Sequence, residues 1–131
     1  MTNTYADKRK YAMTPIMKIQ AERKRQVEVE GWTPEHDDQH NEGEMLRAAT
    51  LYYLHAAKPG LFPSLRPDGA PLGWPWEAKW WKPKDRERDL IRAGALCLAE
   101  RERFERISYS THRDHVEQKL RSILKALGQE L

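Results

Sequence analysis

Apolar residues recur at helical spacing along most of the chain. The clearest stripe, at i, i+4, i+7, i+8 and i+11, consists of Val116, Leu120, Ile123, Leu124 and Leu127. It predicts an amphipathic helix over residues 111–127, and Gly128 ends that helix where a left-handed residue is favoured. No segment alternates apolar and polar positions for long enough to predict a strand. The pattern therefore predicts an all-α fold.

Three further helices are predicted upstream. Thr14-Pro15 and Thr33-Pro34 each join a side chain that caps free N–H groups to a proline at the first helical position. These pairs start predicted helices over 14–30 and 34–57. A third helix is predicted over 86–107, where the sequence begins apolar and becomes charged. The apolar stripe of the 34–57 helix consists of Met45, Ala48, Ala49, Tyr52 and Ala56. We expect a domain of three to four helices.

A long loop, residues 58–85, separates two of these helices. It holds six of the eight prolines and four of the five tryptophans, in Trp74-Pro75-Trp76 and Trp80-Trp81. Loops this long inside a compact domain are usually functional or pinned by their own side chains. We expect this one to pack down as a Trp/Pro-rich flap. Residues 14–131 are interpreted as a single α-helical domain, and residues 1–13 as a flexible basic arm.

Composition narrows the class of protein. The chain has 131 residues, 39% hydrophobic and 33% charged, with a net charge of +3 at pH 7. These values fit one domain with a small core and a highly charged surface. They permit a nucleic-acid partner without implying one. The single cysteine, Cys97, excludes an internal disulfide and fits a reducing compartment. With no membrane span and no signal-peptide core in the sequence, we expect a cytoplasmic protein.

The most unusual segment is EGWTPEHDDQHNEGEM, residues 30–45. Residues 33–44 contain five acids and no Lys or Arg, an excess that favours a divalent cation or a basic partner. If the helix continues through this segment, His36, His40 and Glu44 lie four residues apart on one face. A plainer interpretation is that acids in the first turn of a helix only complement its dipole.

Two kinds of metal site are compatible with these residues. The run HDDQH superficially resembles the zinc-binding HExxH helix of metalloproteases, although an aspartate replaces its glutamate. The favoured site instead uses carboxylates of two facing helices, Asp38, Glu44 and Asp89, to hold Mg²⁺ or Mn²⁺ against phosphates. The substrate-binding residues expected with it are Lys82, Lys84 and Arg88 for phosphate oxygens, and Trp76 and Trp80 for a flat base.

The tryptophans of the loop fit other roles as well. In a domain with only two phenylalanines, they suit core packing at least as well as base binding. Exposed tryptophan is also typical of the residues that dominate protein–protein interfaces. The sequence leaves these three roles open.

Three blocks of the chain resemble a family of small proteins from temperate phages and prophages. The blocks are AERKRQVEVEGWTPEHDDQHNEGEM (21–45), GWPW…WWKPKDRERDL (73–90) and IRAGALCLAERERFER (91–106). The resemblance implies a phage accessory protein that acts in the host-cell cytoplasm. It brings no established activity with it.

A looser similarity is to the all-α MazG-type nucleoside triphosphate pyrophosphohydrolases. These carry an ExxE motif on one helix and an ExxD motif on the next, and both hold Mg²⁺ against the triphosphate. Glu44 and Asp89 would be the counterparts here, although Asn41 and Arg86 stand where each motif has its first glutamate. The similarity therefore implies either a site of reduced metal affinity or one in which Asp38 and His40 replace the missing ligands; otherwise the chain is not an enzyme of this type. In such an enzyme, His40 or one of the carboxylates, such as Glu44, would activate water.

Two functions of different classes follow. The first is an Mg²⁺-dependent nucleotide-binding or pyrophosphohydrolase-like protein, with the acids converging on one metal ion. The second is a non-catalytic inhibitor that binds a host factor, such as an anti-phage defence complex, through the tryptophan flap and the charged helices. A helix-paired homodimer is expected with either, because thin apolar stripes often bury against a second copy.

Overall fold

The computed structural model describes residues 12–107 and 110–129, without the side chains of 107 and 110–113. Within these ranges the chain forms five α-helices, which confirms the all-α prediction. They are α1 (Pro15–Glu28), α2 (Pro34–Asp37), α3 (Glu44–Ala57), α4 (Arg86–Ile107) and α5 (Ser110–Ala126). The described part of the chain contains no strand beyond a single isolated bridge between Leu65 and Pro71.

Helix α4 is the central element, against which α1, α2, α3 and α5 all pack. Its small buried residues, Ala93, Ala95 and Ala99, let neighbouring helices approach closely. The closest approach is at Gly94, where an added Cβ would lie 2.4 Å from Cδ1 of Ile19 on α1. Side chains from all four long helices form the core, among them Ile19, Met45, Ala48, Tyr52, Leu96, Cys97, Phe104, Val116, Leu120 and Ile123.

The helix predicted over 34–57 is two helices. Thr33 caps the first, accepting from the N–H of His36 at 3.3 Å, but this helix has only four residues. Gly43 then adopts a left-handed φ of 79° directly before α3 begins at Glu44. A left-handed residue cannot continue a right-handed helix. The prediction that His36, His40 and Glu44 share the face of one continuous helix is therefore wrong.

The other predicted helix boundaries lie close to the observed ones. The prediction of 14–30 compares with Pro15–Glu28, and that of 111–127 with Ser110–Ala126. The prediction of 86–107 matches the bounds of α4. Almost all of the predicted basic arm, residues 1–11, lies outside the described residues.

The loop 58–85 is held in place by its own polar groups. Arg66 donates to the carbonyl oxygens of Trp74 and Trp76 at 3.0 and 3.4 Å. The indole N–H of Trp74 donates to the Glu77 carbonyl at 3.0 Å, and Trp74 itself is buried in the core. These hydrogen bonds hold the loop in shape, and the buried Trp74 ring packs it against Tyr52 of α3. Among the described residues, no helix is both long enough and apolar enough to cross a membrane.

Candidate functional site

An open pocket of about 400 Å³ lies between the loop and the segment around α2. Its lining consists of Trp32, His36, His40, Pro75, Trp76, Glu77 and Trp80. Small-molecule sites are typically concave, of a few hundred Å³, and lined by aromatic side chains with a few polar groups. This pocket has a volume and an aromatic lining of that kind.

The pocket wall is a chain of aromatic rings in mutual contact. Trp32 stacks on His36 with centroids 5.8 Å apart and planes at 10°. His36 meets His40 edge-on at 4.9 Å, and His40 meets Trp76 at 5.4 Å. Trp76 closes the chain against Trp32 at 6.0 Å. These contacts fix the wall of the pocket.

The end of α1 positions the first part of this wall. Gly31, at a left-handed φ of 75°, turns the chain after α1. The Trp32 N–H then donates to the Gln26 carbonyl at 3.0 Å, and the Trp32 carbonyl accepts from Arg23 at 3.0 Å. Thr33 caps α2 directly after Trp32. His36 therefore lies in α2 four residues after Trp32, and its ring stacks on the Trp32 ring.

Both pocket histidines are held by carboxylates. Nδ1 of His36 lies 3.2 Å from Oδ1 of Asp37, whose Oδ2 accepts from Arg23 at 2.6 Å. Nδ1 of His40 lies 3.0 Å from Oε2 of Glu44. A carboxylate paired in this way only accepts, so the histidine Nδ1 donates.

The carboxylate of Glu44 is held in its charged form. Burial would raise the pKa of Glu44, but hydrogen bonds from the Glu42 N–H and from His40 outweigh it, and the pKa is lowered. The Glu42 N–H donates to Oε1 of Glu44 at 2.6 Å, while Oε2 faces His40. Both oxygens of Glu44 are thereby engaged.

The part of the pocket formed by Trp80, here called its rim, is an exposed indole with two cations beside its ring. Trp80 is 43% exposed, and Nζ of Lys79 and of Lys82 lie 5.4 and 5.3 Å from its ring centroid. The Tyr52 hydroxyl accepts from the Lys82 N–H at 3.0 Å and donates to the Trp80 carbonyl at 3.3 Å. Arg92 also donates to the Lys82 carbonyl. The rim is therefore anchored through α3 and α4.

A second, smaller cavity shares Trp32, Trp76 and Trp80 with the pocket. Its volume is about 30 Å³, enough for about one water molecule. Within the described residues, Oε1 of Gln26 and Nε1 of Trp76 are buried without a hydrogen-bond partner, and both residues line this cavity. One acceptor and one donor therefore border the same small space.

The three predicted metal ligands each have a separate partner. Asp38 is paired with Arg106 at 2.6 Å and Glu44 with His40. Asp89 is buried, accepting from the Lys84 N–H at 2.8 Å and facing Nδ1 of His55 at 3.2 Å. Across the described part of the chain, no group of three or more His, Cys, Asp or Glu side chains could hold a metal ion. Asp89 instead anchors the end of the loop to α4.

The predicted substrate-binding residues divide into two groups. Trp76 and Trp80 line the pocket, and Lys82 lies beside the Trp80 ring. Arg88 instead donates to Glu22 at 2.6 Å, and Lys84 uses its backbone N–H to hold Asp89. His40, predicted as a catalytic residue, lines the pocket while Glu44 holds its Nδ1.

Trp32 was not among the predicted site residues, and His36 was weighed only as a zinc ligand beside His40 and Glu44, not as part of the favoured site. The available signal was the spacing of four residues between Trp32 and His36 across a helix start, which is the spacing of neighbours on a helix. Comparisons with protein-family models, with curated proteins and with solved structures found no match. The pocket itself is therefore the main guide to function.

Proposed function

We propose that the protein binds a small anionic ligand with a planar aromatic ring, of the nucleotide class, in the pocket between α2 and the loop. The observation that carries the proposal is the combination of aromatic walls with two lysines beside the ring of Trp80, one of the lining residues. Trp76 and Trp80 offer stacking surfaces for a base. Lys82 supplies positive charge for phosphate oxygens beside Trp80, and Lys79 adds to it, although its Nζ also lies 3.7 Å from the Glu77 carboxylate.

The contribution of stacking to the affinity can be taken from proteins whose aromatic side chains stack on single bases. Aromatic–base stacking is worth about 1–3 kcal/mol by alanine substitution, or roughly a fivefold to 150-fold change in affinity. Exposed lysines contribute through charge, so their contribution falls as salt rises. The base should therefore provide most of the affinity at physiological salt, and the phosphate should provide its salt dependence.

The test is a titration of ATP, AMP, adenosine and ribose 5-phosphate, followed by tryptophan fluorescence and by calorimetry. We expect ATP and AMP to bind, adenosine to bind without salt dependence, and ribose 5-phosphate to bind much more weakly. Trp80→Ala should raise Kd about tenfold. Lys82→Gln should weaken ATP binding and reduce its salt dependence, whereas Lys24→Gln, on exposed α1 surface, should change neither. Equal binding of ribose 5-phosphate and AMP would refute base recognition.

Catalysis is the further part of this proposal. The same panel with Mg²⁺ or Mn²⁺, followed by pyrophosphate release, tests the pyrophosphohydrolase-like activity that the MazG-type similarity implies. Turnover lost in Glu44→Ala, with nucleotide binding retained, would support it. Binding without turnover under any metal condition would leave a nucleotide-binding accessory protein, the setting that the phage-family resemblance implies.

A non-catalytic inhibitor of a host factor is the second candidate, and a different observation favours it. Leu61, Leu65 and Leu72 of the loop are 72%, 58% and 55% exposed. Exposed leucines on an anchored loop fit a protein partner, although the three do not by themselves define one patch. Loss of host-protein capture in Leu61→Ser/Leu72→Ser, with nucleotide affinity unchanged, would support this function. The predicted homodimer stays a prediction.

A further inference from the structure

We propose that His36 and His40 together bind a divalent transition-metal ion of the zinc type at the wall of the pocket. The site differs from the favoured prediction, which used Asp38, Glu44 and Asp89 for Mg²⁺. It also differs from the zinc alternative, which placed His36, His40 and Glu44 on one continuous helix, because Glu44 here holds Nδ1 of His40. It also goes beyond nucleotide binding, because the ion would bind without any nucleotide. The argument rests on how the two rings are held, how far apart they lie and what they face.

The carboxylates select the nitrogen that is offered to a ligand. Asp37 and Glu44 accept from Nδ1 of His36 and His40, which leaves Nε2 as the nitrogen with a lone pair in each neutral ring. Metal-binding histidines almost always donate their other ring N–H to a carboxylate or carbonyl, which fixes the tautomer and raises ligand basicity. Both histidines here have that partner, and both line the open pocket.

The distance between the rings fits a shared ion. A zinc–nitrogen bond of about 2.0–2.1 Å places the imidazole centroid about 3.2 Å from the ion. Two such rings lie about 4.5 Å apart at a ligand angle of about 90° and about 5.2 Å apart at the tetrahedral angle. The centroids of His36 and His40 are 4.9 Å apart, between these limits, with planes at 66°.

The surroundings determine which ion is expected. Imidazole nitrogen suits Zn²⁺, Cu²⁺ or Ni²⁺, whereas Mg²⁺ prefers oxygen ligands. Two protein ligands leave the remaining positions to water or to an oxygen of a bound molecule, one position more than in an open zinc site with three protein ligands. The pocket of about 400 Å³ gives space for such a ligand. With two protein ligands rather than three, we expect an exchangeable ion at micromolar affinity.

The test uses Zn²⁺ alone in a non-chelating buffer, measured by calorimetry at neutral pH. We expect one ion per chain and a loss of affinity of about tenfold or more in His36→Ala and in His40→Ala. Glu44→Gln should cost about tenfold, the usual effect of losing a partner behind a ligand. His55→Ala is the matched control, because Asp89 holds its Nδ1 in the same way at 3.2 Å, but His55 lies outside the pocket lining.

A second measurement uses the wild-type protein alone. In the wild-type chain, Zn²⁺ should move the NMR signals of the His36 and His40 rings at one equivalent and leave those of His55 in place. Failure of Zn²⁺ to bind, or binding that neither pocket histidine affects, would overturn the proposal. Nucleotide titrations in EDTA separate this outcome from the proposed function, since they test the pocket with no metal present.

Discussion

The guanidinium of Arg23 and the carboxylate of Asp37 form an ion pair of 2.6 Å with side chains only 7% and 0% exposed. Arg23 also donates to Glu102 of α4 at 3.1 Å and to the Trp32 carbonyl at 3.0 Å. One arginine thus connects α1, α2 and α4 beside the pocket. Since the other oxygen of Asp37 faces His36, this pair also orients the pocket wall.

Removing one partner of this pair should strongly destabilise the protein. Breaking a buried ion pair from one side costs about 3–5 kcal/mol, because a charge is left uncompensated. Arg23 retains Glu102 in Asp37→Ala, so we expect a loss near the lower end, about 3 kcal/mol of unfolding free energy. Urea denaturation followed by circular dichroism measures it.

The neighbouring residue provides the control. Asp38 is paired with Arg106 at the same distance, 2.6 Å, but its side chain is 48% exposed. Exposed pairs contribute about 0–1 kcal/mol, so Asp38→Ala should have a small effect. Equal losses in the two variants would show that burial does not determine the contribution of the pair.

The contact between Gly94 and Ile19 gives a second prediction. In Gly94→Ala the new methyl group would lie 2.4 and 2.7 Å from Cδ1 and Cγ1 of Ile19, which is fully buried. Alanine favours a helix over glycine by about 1 kcal/mol, but overpacking a well-packed core costs about 1–3 kcal/mol. We expect net destabilisation of about 1 kcal/mol, measured by thermal or urea unfolding. Gly94→Ala/Ile19→Val should recover part of it, and a more stable single variant would contradict the close packing.

A third prediction concerns the pH dependence of Glu22, whose side chain is 1% exposed and paired with Arg25 and Arg88. Burial would raise the pKa of Glu22, but these arginines outweigh it and lower the pKa below 4.5. A lowered pKa in the folded state means that the stabilisation is present above the unfolded value and lost as pH falls through the folded value.

Glu22→Gln removes this contribution. The difference in unfolding free energy between wild type and Glu22→Gln should be largest near pH 7 and shrink as pH falls below about 4.5. Urea unfolding from pH 7 to pH 3 measures the difference. Glu28→Gln is the control on the same helix, because Glu28 is 61% exposed and should show no such dependence. If this difference in unfolding free energy grew toward low pH, folding would raise the pKa of Glu22 instead of lowering it.

Local patterns were enough to predict most of the fold. The Thr-Pro starts of α1 and α2 and the apolar stripe of α5 depend on neighbours within a few residues, which the sequence displays directly. The break between α2 and α3 was missed for the opposite reason. The spacing of His36, His40 and Glu44 fits a continuous helix, whereas the observed break accompanies the left-handed Gly43 and the distant pairing of Asp37 with Arg23.

The site was less predictable because its parts are distant in sequence. Trp32 meets Trp76 across more than forty residues, and both line one pocket with His36 and Trp80, a relationship that no local period records. The partners of the acidic residues were equally hard to predict from the sequence. Asp38 appeared available for a metal ion until folding placed Arg106 beside it, 68 residues away. Composition showed an acidic segment, and only the tertiary structure shows which cations already neutralise it.

The break at Gly43 gives the last prediction. Its φ of 79° strains any residue with a Cβ, although no atom lies within 4 Å of the position that a Cβ would occupy. The left-handed conformation costs a non-glycine residue about 1–2 kcal/mol, so Gly43→Ala should destabilise the protein by about that amount. The control is Gly60→Ala, at an ordinary φ and also in open space. Gly60→Ala should be neutral or slightly stabilising, because alanine restricts the unfolded chain.

Since Gly43 directly precedes Glu44, which holds the His40 ring, Gly43→Ala should also disturb that ring and weaken Zn²⁺ binding. Equal stability of the two alanine variants would mean that the backbone at Gly43 is not held in the left-handed region.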